Sequence, residues 1–233
     1  MSVIALASAH GAPGVTTSAL ALALAWGLAR PGRRVLLVDA DGPLRSGVPD
    51  SAGISLLAAV RPPLTIEQVV GACVALDEAS HRMVLPGVAD PMQARPLAAT
   101  WSALVDVARD LSSQGVDVVV DAGRVGHRHE PTAWLSEADL LAVVVRGDLA
   151  SVLPAAAAVR TLTVLRAGRS APIGLVVDPG AYAAGEVASA LGVREVLTIA
   201  GDDWGARTLL DGAGRGPRFD RSPLIRTARS VAE

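Results

Sequence analysis

The stretch Ala9-His10-Gly11-Ala12-Pro13-Gly14-Val15-Thr16-Thr17 joins a short apolar run, Val3–Ser8, to an alanine- and leucine-rich segment, Thr16–Ala29. A continuous apolar run of that length, closed by glycine and proline, reads as a buried strand, and the segment after it reads as a helix. Strand, glycine-bearing loop, paired threonines and helix together form the layout of a phosphate-binding loop. In such a loop, backbone N–H groups and a helix N-terminus surround an anion.

The same alternation continues outward. Strands are predicted at Val3–Ser8, Arg34–Asp39, Met83–Pro86, Val116–Asp121, Leu140–Arg146, Ile173–Asp178 and Glu195–Ile199. Helices are predicted at Thr16–Ala29, Ile66–Leu76, Pro96–Ser113, Leu149–Ala167, Ala183–Leu191 and Trp204–Asp211. Runs such as Val118-Val119-Val120 and Val143-Val144-Val145 do not alternate, which is how strands covered on both faces read. The fold class expected is α/β, a single doubly wound, mostly parallel sheet flanked by helices on both faces. No internal repeat and no linker-like stretch interrupts it, so residues 1–233 are read as one domain. Its short C-terminal segment, 213–233, follows the turn around Gly212–Pro217. Ligands in such a sheet bind beyond the carboxyl ends of the strands, so the loops after Ser8, Asp39, Asp121, Arg146 and Asp178 should meet in one crevice.

The composition agrees. In 233 residues, 51% are hydrophobic and 19% charged, which is too apolar for a disordered chain and long enough to bury a core. The net charge of -2 offers no basic field for nucleic acid. Cys73 is the only cysteine, so neither a disulfide framework nor a cysteine metal cage can form, and the expected setting is the reducing cytoplasm. The apolar stretch Ala19–Ala29 falls short of the roughly 18 residues a membrane span needs. The N-terminus, with its Ala7-Ser8-Ala9 ending, faintly resembles a signal peptide but lacks a basic start, and it is read as the first strand. All 21 basic residues are arginine, so any chemistry that requires lysine is excluded.

Further stretches carry a resemblance. Strand two ends in Val38-Asp39-Ala40-Asp41-Gly42-Pro43-Leu44-Arg45, and a later strand ends in Val118-Val119-Val120-Asp121-Ala122-Gly123, an apolar run closing on an aspartate as a Walker B strand does. Late in the chain come Val176-Val177-Asp178 and Gly201-Asp202-Asp203. With Leu85-Pro86-Gly87 and Ala138-Asp139-Leu140-Leu141, and in this order, the chain resembles the ParA/MinD family of P-loop ATPases. That family's deviant Walker A loop reads Lys-Gly-Gly-x-Gly-Lys-Thr-Thr. The resemblance implies a nucleotide site at Gly11, Gly14, Val15, Thr16 and Thr17, with Asp178 where the family places an adenine-reading asparagine. It implies magnesium at Thr16, Asp39 and Asp121, and Asp41 as the water-orienting residue should hydrolysis occur.

The departures matter as much. The phosphate-gripping lysine falls on Val15, the signature lysine that crosses a dimer falls on His10, and Pro13 has no N–H to offer. A charge-assisted hydrogen bond contributes roughly 1.5–3 kcal/mol, so one lost lysine weakens triphosphate binding about tenfold to a hundredfold. Removing a preorganised donor from developing charge costs on the order of 10²–10³ in rate. A genome biased toward arginine accounts for absent surface lysines, but it would have placed arginine, not valine, in the loop. Arg45, Arg124 and Arg128 lie on predicted loops near the crevice, where they read as solvated charges or as replacements for the lost lysines. His10 reads as a filler or as a pH-dependent cation. His127-Arg128-His129-Glu130 has the residue types of a metal cluster without further ligands nearby. Asp41 reads equally as a loop cap.

The resemblance therefore implies a degenerate member, a non-hydrolysing scaffold or positioning adaptor for a pilus, secretion, division or partition assembly, similar to CpaE/TadZ-like proteins. The alternative is a Mg-ATP-binding switch that recruits an arginine. ATP or ADP with magnesium is bound weakly or not at all, protein partners and a homodimer are expected, and nucleic acid is not. The C-terminal segment, with Leu224, Ile225, Ala228, Val231 and Ala232 at helical spacing, is expected to pack on the body instead of entering a membrane.

Overall fold

The computed structural model describes residues 3–11, 14–41, 52–88, 93, 97–178, 180–212 and 216–233. Ala12, Pro13, Gly42, Pro43, Leu44, Arg45, Pro96 and the tail at 213–215, all invoked above, lie outside them. An eight-stranded sheet organises the chain: β1 (Val3–Ser8), β2 (Arg34–Asp39), β3 (Val74–Ala75), β4 (Arg82–Leu85), β5 (Val116–Arg124), β6 (Leu140–Arg146), β7 (Ile173–Asp178) and β8 (Val196–Ala200). Their order is β3-β4-β2-β5-β1-β6-β7-β8, and every pairing is parallel except β3 with β4. The N-terminal run with the signal-like ending is thus the strand at the middle of the sheet, which the crossovers reach from both sides.

Residue parity sorts the two faces. Val3, Ala5, Leu36, Val118, Val120 and Val143 face one layer made of α2 (Ile54–Ala58), α3 (Ile66–Gly71), α4 (Ala98–Ser113), α5 (Thr132–Glu137), α6 (Leu149–Leu165) and α7 (Ala184–Leu191). Leu6, Val35, Leu37, Val119 and Val144 face the other, made of α1 (Val15–Ala29), α8 (Asp203–Asp211), α9 (Pro217–Asp220) and α10 (Pro223–Ala232). The expected doubly wound α/β architecture is observed, and its strands are apolar on both sides for this reason.

Helix α1 is apolar nearly all round because it is covered nearly all round: Ala19, Ala21, Ala23, Ala25 and Trp26 are buried between the sheet and α10. Helix α10 starts cleanly, with Ser222 accepting from the Ile225 N–H at 3.4 Å and Pro223 in its first turn. Its Leu224, Ile225, Ala228 and Ala232 are buried, and the Thr227 hydroxyl accepts the Ala200 N–H at 2.9 Å, so the apolar side of this helix is spent on the body. Among the described residues no helix is long and apolar enough to cross a membrane.

Two predicted elements need correction. The helix expected over Ile66–Leu76 ends at Gly71, and Val74–Ala75 instead pairs antiparallel with β4. Asp77 decides this: its carboxylate accepts the His81 and Arg82 N–H groups at 2.8 and 3.1 Å and closes a tight hairpin that outcompetes another helical turn. Strand β5 runs on from Asp121 to Arg124, because after an irregularity between Leu6 and Ser8 the pairing resumes with Ser8 opposite Arg124.

Candidate nucleotide-binding site

The carboxyl ends of β1, β2 and β5 meet at the start of α1. Gly14 caps the helix at φ +102, a left-handed conformation suited to glycine, and no side chain caps the first turn. The first-turn N–H groups of α1 therefore point outward without an intrahelical partner, and no acidic residue occupies that turn. Beside them lies a cavity of about 280 Å³ lined by Gly11, Gly14, Val15, Thr16, Thr17 and Asp41, with His10 and Arg124 at its edge. A second cavity, about 180 Å³, shares Gly14 and Thr17 with it and extends to Arg146, Val177, Asp202 and Asp203.

The carboxylates form the floor. Asp39 and Asp121 are register partners on β2 and β5, and both are fully buried. Asp39 accepts the Gly87 N–H at 3.2 Å and the Asp41 N–H at 3.3 Å. Asp121 accepts the Gly123 N–H at 3.1 Å on Oδ1, whereas its Oδ2 is buried with no hydrogen-bond partner among the described residues. Burial pushes the Asp121 carboxyl up to about 7, aided by the charges of Asp39 and Asp41 and opposed by hydrogen bonds from Thr16 and Gly123. Asp41 lies against Gly123 so closely that a β-carbon there would sit 2.2 Å from its Cγ.

The two positions where the resemblance expects lysines are occupied differently from one another. Val15 is 6% exposed and belongs to the apolar layer under α1, so its position adds shape but no charge. His10 is tied to its own chain: Nδ1 lies 2.8 Å from the Gly11 carbonyl and Nε2 2.7 Å from the Ser151 hydroxyl. Because a carbonyl can only accept, Nδ1 carries the proton in the neutral ring and Ser151 donates to Nε2. Ser151 at the same time accepts the Arg146 N–H at 2.9 Å, which binds the loop after β1 to the start of α6.

No family model matches the chain, and no curated protein matches it. Solved structures match over its full length. A ParA family ATPase from Chlorobium tepidum TLS superimposes with a TM-score of 0.77 at 18% identity, covering 99% of this chain and 98% of that one. The MinD cell division protein of Aquifex aeolicus gives 0.69 at 18% identity, with 100% and 95% covered. The septum site-determining protein MinD of Pyrococcus horikoshii OT3, complexed with Mg-ADP, gives 0.68 at 18% identity, with 99% and 94% covered. The fold is that of the ParA/MinD ATPases.

In this ParA/MinD fold, the structure brings Gly11, Gly14, Val15, Thr16, Thr17 and Asp41 together around one cavity, with Asp39 and Asp121 behind Thr16. Asp178 is apart from them. It ends β7 exposed, lines neither crevice cavity, and its carbonyl accepts the Gly201 N–H. Asp202, Asp203 and Arg146 line the second cavity instead. Asp202 caps α8 by accepting the Gly205 N–H at 2.9 Å, and its Oδ2 is buried without a partner among the described residues. Its only sequence signal is the Gly201-Asp202-Asp203 stretch. Arg146 has only its place at the end of a predicted strand, and Ser151 has none.

Magnesium, which the fold family implies, fits the donors present. Thr16, Asp39 and Asp121 supply hard oxygens, and the orphaned Asp121 Oδ2 is the acceptor that a cation would satisfy. The His127 group closes on itself. His127 Nδ1 accepts the His129 N–H at 3.3 Å and Glu130 accepts the Gly126 N–H at 2.6 Å, and among the described residues no three His, Cys, Asp or Glu side chains gather as a cage. Cys73 donates to the Val69 carbonyl at 3.1 Å and burial pushes its thiol up to about 12, so it carries no nucleophile.

Proposed function

We propose that this chain is a positioning adaptor built on the ParA/MinD fold, a scaffold that meets protein partners and does not turn over ATP. The observation that carries the reading is Val15, an apolar side chain buried in the layer under α1 where the resemblance expects the phosphate-gripping lysine. His10 adds to it, since the second lysine's position is occupied by a ring engaged with Ser151 of the same chain. Without these cations a triphosphate would face Asp41, Asp39 and Asp121 with helix N–H groups and an edge arginine alone. Phosphoryl transfer depends on placed positive charge, so the chemical step loses more than binding does. Cytoplasmic placement, a homodimer, and a division, partition, pilus or secretion assembly as cargo belong to this reading through the resemblance.

Titration calorimetry with Mg-ATP tests it. The expected result is no binding below millimolar nucleotide and no hydrolysis above background. Hydrolysis at rates typical of the family that disappears in Asp41→Ala would sink it.

A second reading, a Mg-nucleotide switch, has its own support. Arg124 and Arg146 line the two cavities, and neither side chain has an ion-pair or hydrogen-bond partner among the described residues. Thr16 and Asp121 would hold magnesium, which would neutralise phosphate charge, while the first-turn N–H groups of α1 orient the anion. Micromolar Mg-ATP binding that is lost in Thr16→Ala and weakened tenfold or more in Arg124→Ala or Arg146→Ala would select this reading over the first.

A further inference from the structure

Helix α6 leaves an apolar stripe uncovered. Leu149, Leu153 and Val164 are 56%, 66% and 76% exposed, and with Ala157 between them they share one helical face. Single exposed leucines are ordinary, but several aligned on one helix are a surface feature. Alongside the stripe, Leu149, Val152, Tyr182, Glu186, Val187 and Ala190 line a groove of about 250 Å³ between α6 and α7. None of these residues lines either crevice cavity.

An apolar ridge beside an apolar groove is the shape that an isologous contact requires, because a twofold axis places each ridge in the other copy's groove. Charge points the same way. Arg160, two turns beyond Leu153 on α6, is exposed and has no partner among the described residues, whereas Glu186 lines the groove and Asp148 adjoins it, each carboxylate holding one helix-cap N–H, of Ala183 and Ser151 respectively, through one oxygen. An antiparallel pair of α6 helices brings the arginine of each copy toward the carboxylates of the other, twice per contact. The small Ala156 and Ala157 near the crossing let the helices approach closely.

We propose that a second copy of this chain docks here, forming a twofold dimer through α6 and the α6–α7 groove with Leu153 as its anchor. This goes beyond the reading of the loop and does not depend on it, since the contact needs no nucleotide. Ridge, groove and both signs of charge all lie on one face of one chain, so a second copy explains them together, whereas a foreign partner would account for only half.

Sedimentation equilibrium of the full chain without nucleotide, from about 1 to about 200 µM, spans the range in which a contact this small associates. A monomer–dimer equilibrium is expected. Leu153→Glu should weaken it at least tenfold, with an unchanged circular dichroism spectrum because the site is exposed. Arg160→Glu should weaken it several-fold, and added salt should weaken the wild type but not that variant. A monomer at every concentration, a dimer indifferent to Leu153→Glu, or association only with Mg-nucleotide present would each overturn the proposal.

Discussion

Asp117 and Asp121 lie four residues apart on β5, on the same face of the sheet, and both are fully buried. Helix α1 runs past both, yet it treats them oppositely. At its carboxyl end Trp26 donates its indole N–H to Asp117 at 2.9 Å, and Arg33, just beyond, grips the same carboxylate through Nε and Nη2 at 2.5 and 2.6 Å. Burial pushes the Asp117 carboxyl up, but the Arg33 and Trp26 hydrogen bonds outweigh it and hold it below the usual carboxylate range. At its amino end α1 presents Asp121 with one hydroxyl, from Thr16, and a valine in place of a cation, and that carboxyl rises to about 7. The comparison separates a buried acid that holds the fold together from one that the fold tolerates at a cost. The second is where a ligand has something to contribute.

The largest effect expected is at the satisfied acid. Asp117→Ala strips the carboxylate from Arg33 and leaves the Trp26 N–H buried without an acceptor, which should lower stability by about 3–5 kcal/mol in urea denaturation. A loss under about 1 kcal/mol would show that the network is decorative. Its pH dependence is equally specific. A depressed carboxylate contributes stability above its unfolded value of about 3.9 and loses it as pH falls through the folded value, so the gap between wild type and variant should close in acid.

Asp121→Asn should act in the other direction. A carboxyl raised to about 7 in the fold keeps a proton that the unfolded chain has released, so wild-type stability falls as pH rises from about 4 to about 7. Asparagine removes that slope. In metal-free buffer at pH 8 the variant should exceed wild type by about 2–4 kcal/mol, and the two should converge near pH 4. Parallel stability profiles across that range would mean that Asp121 ionises freely. Magnesium sharpens the contrast: added at pH 8, it should raise the wild-type melting temperature and leave Asp121→Asn unmoved.

How these two acids read in the sequence differs as well. Asp121 was legible because it closes a continuous apolar run, and β1, β2, β6 and β7 matched prediction end to end for the same reason: strands covered on both faces leave nothing polar to blur their limits. Asp117 was hidden inside such a run, since nothing local shows that Trp26 and Arg33 will arrive beside it. Strand β3 was invisible because two residues carry no period, and α5, with six, is too short to show one. The site divides likewise. Thr16, Asp39, Asp41 and Arg146 sit at or just beyond strand ends or at a helix start, where topology alone brings them together, whereas the bond between His10 and Ser151, in the first turn of α6, has no local signal in either stretch.

The smallest effect tests how tightly the end of β5 and the turn after it are fitted to the crevice. Gly123 and Gly126 both sit at positive φ, +63 and +85, but a β-carbon at Gly126 meets open space while one at Gly123 would strike Asp41. Alanine at Gly126 should cost only the left-handed conformation, about 1 kcal/mol. Alanine at Gly123 should cost more, about 2–3 kcal/mol in all, because rotation can move the Cγ and Oδ1 of exposed Asp41 aside but its Cβ, 2.5 Å from the new methyl, yields only with the backbone. The difference between the two variants isolates the Asp41 contact from backbone strain. Equal losses would mean that Asp41 does not rest on Gly123. A larger loss at Gly123 would mean that the aspartate is held over the cavity by packing, so that any hydrolysis the protein retains should fall in Gly123→Ala and survive in Gly126→Ala.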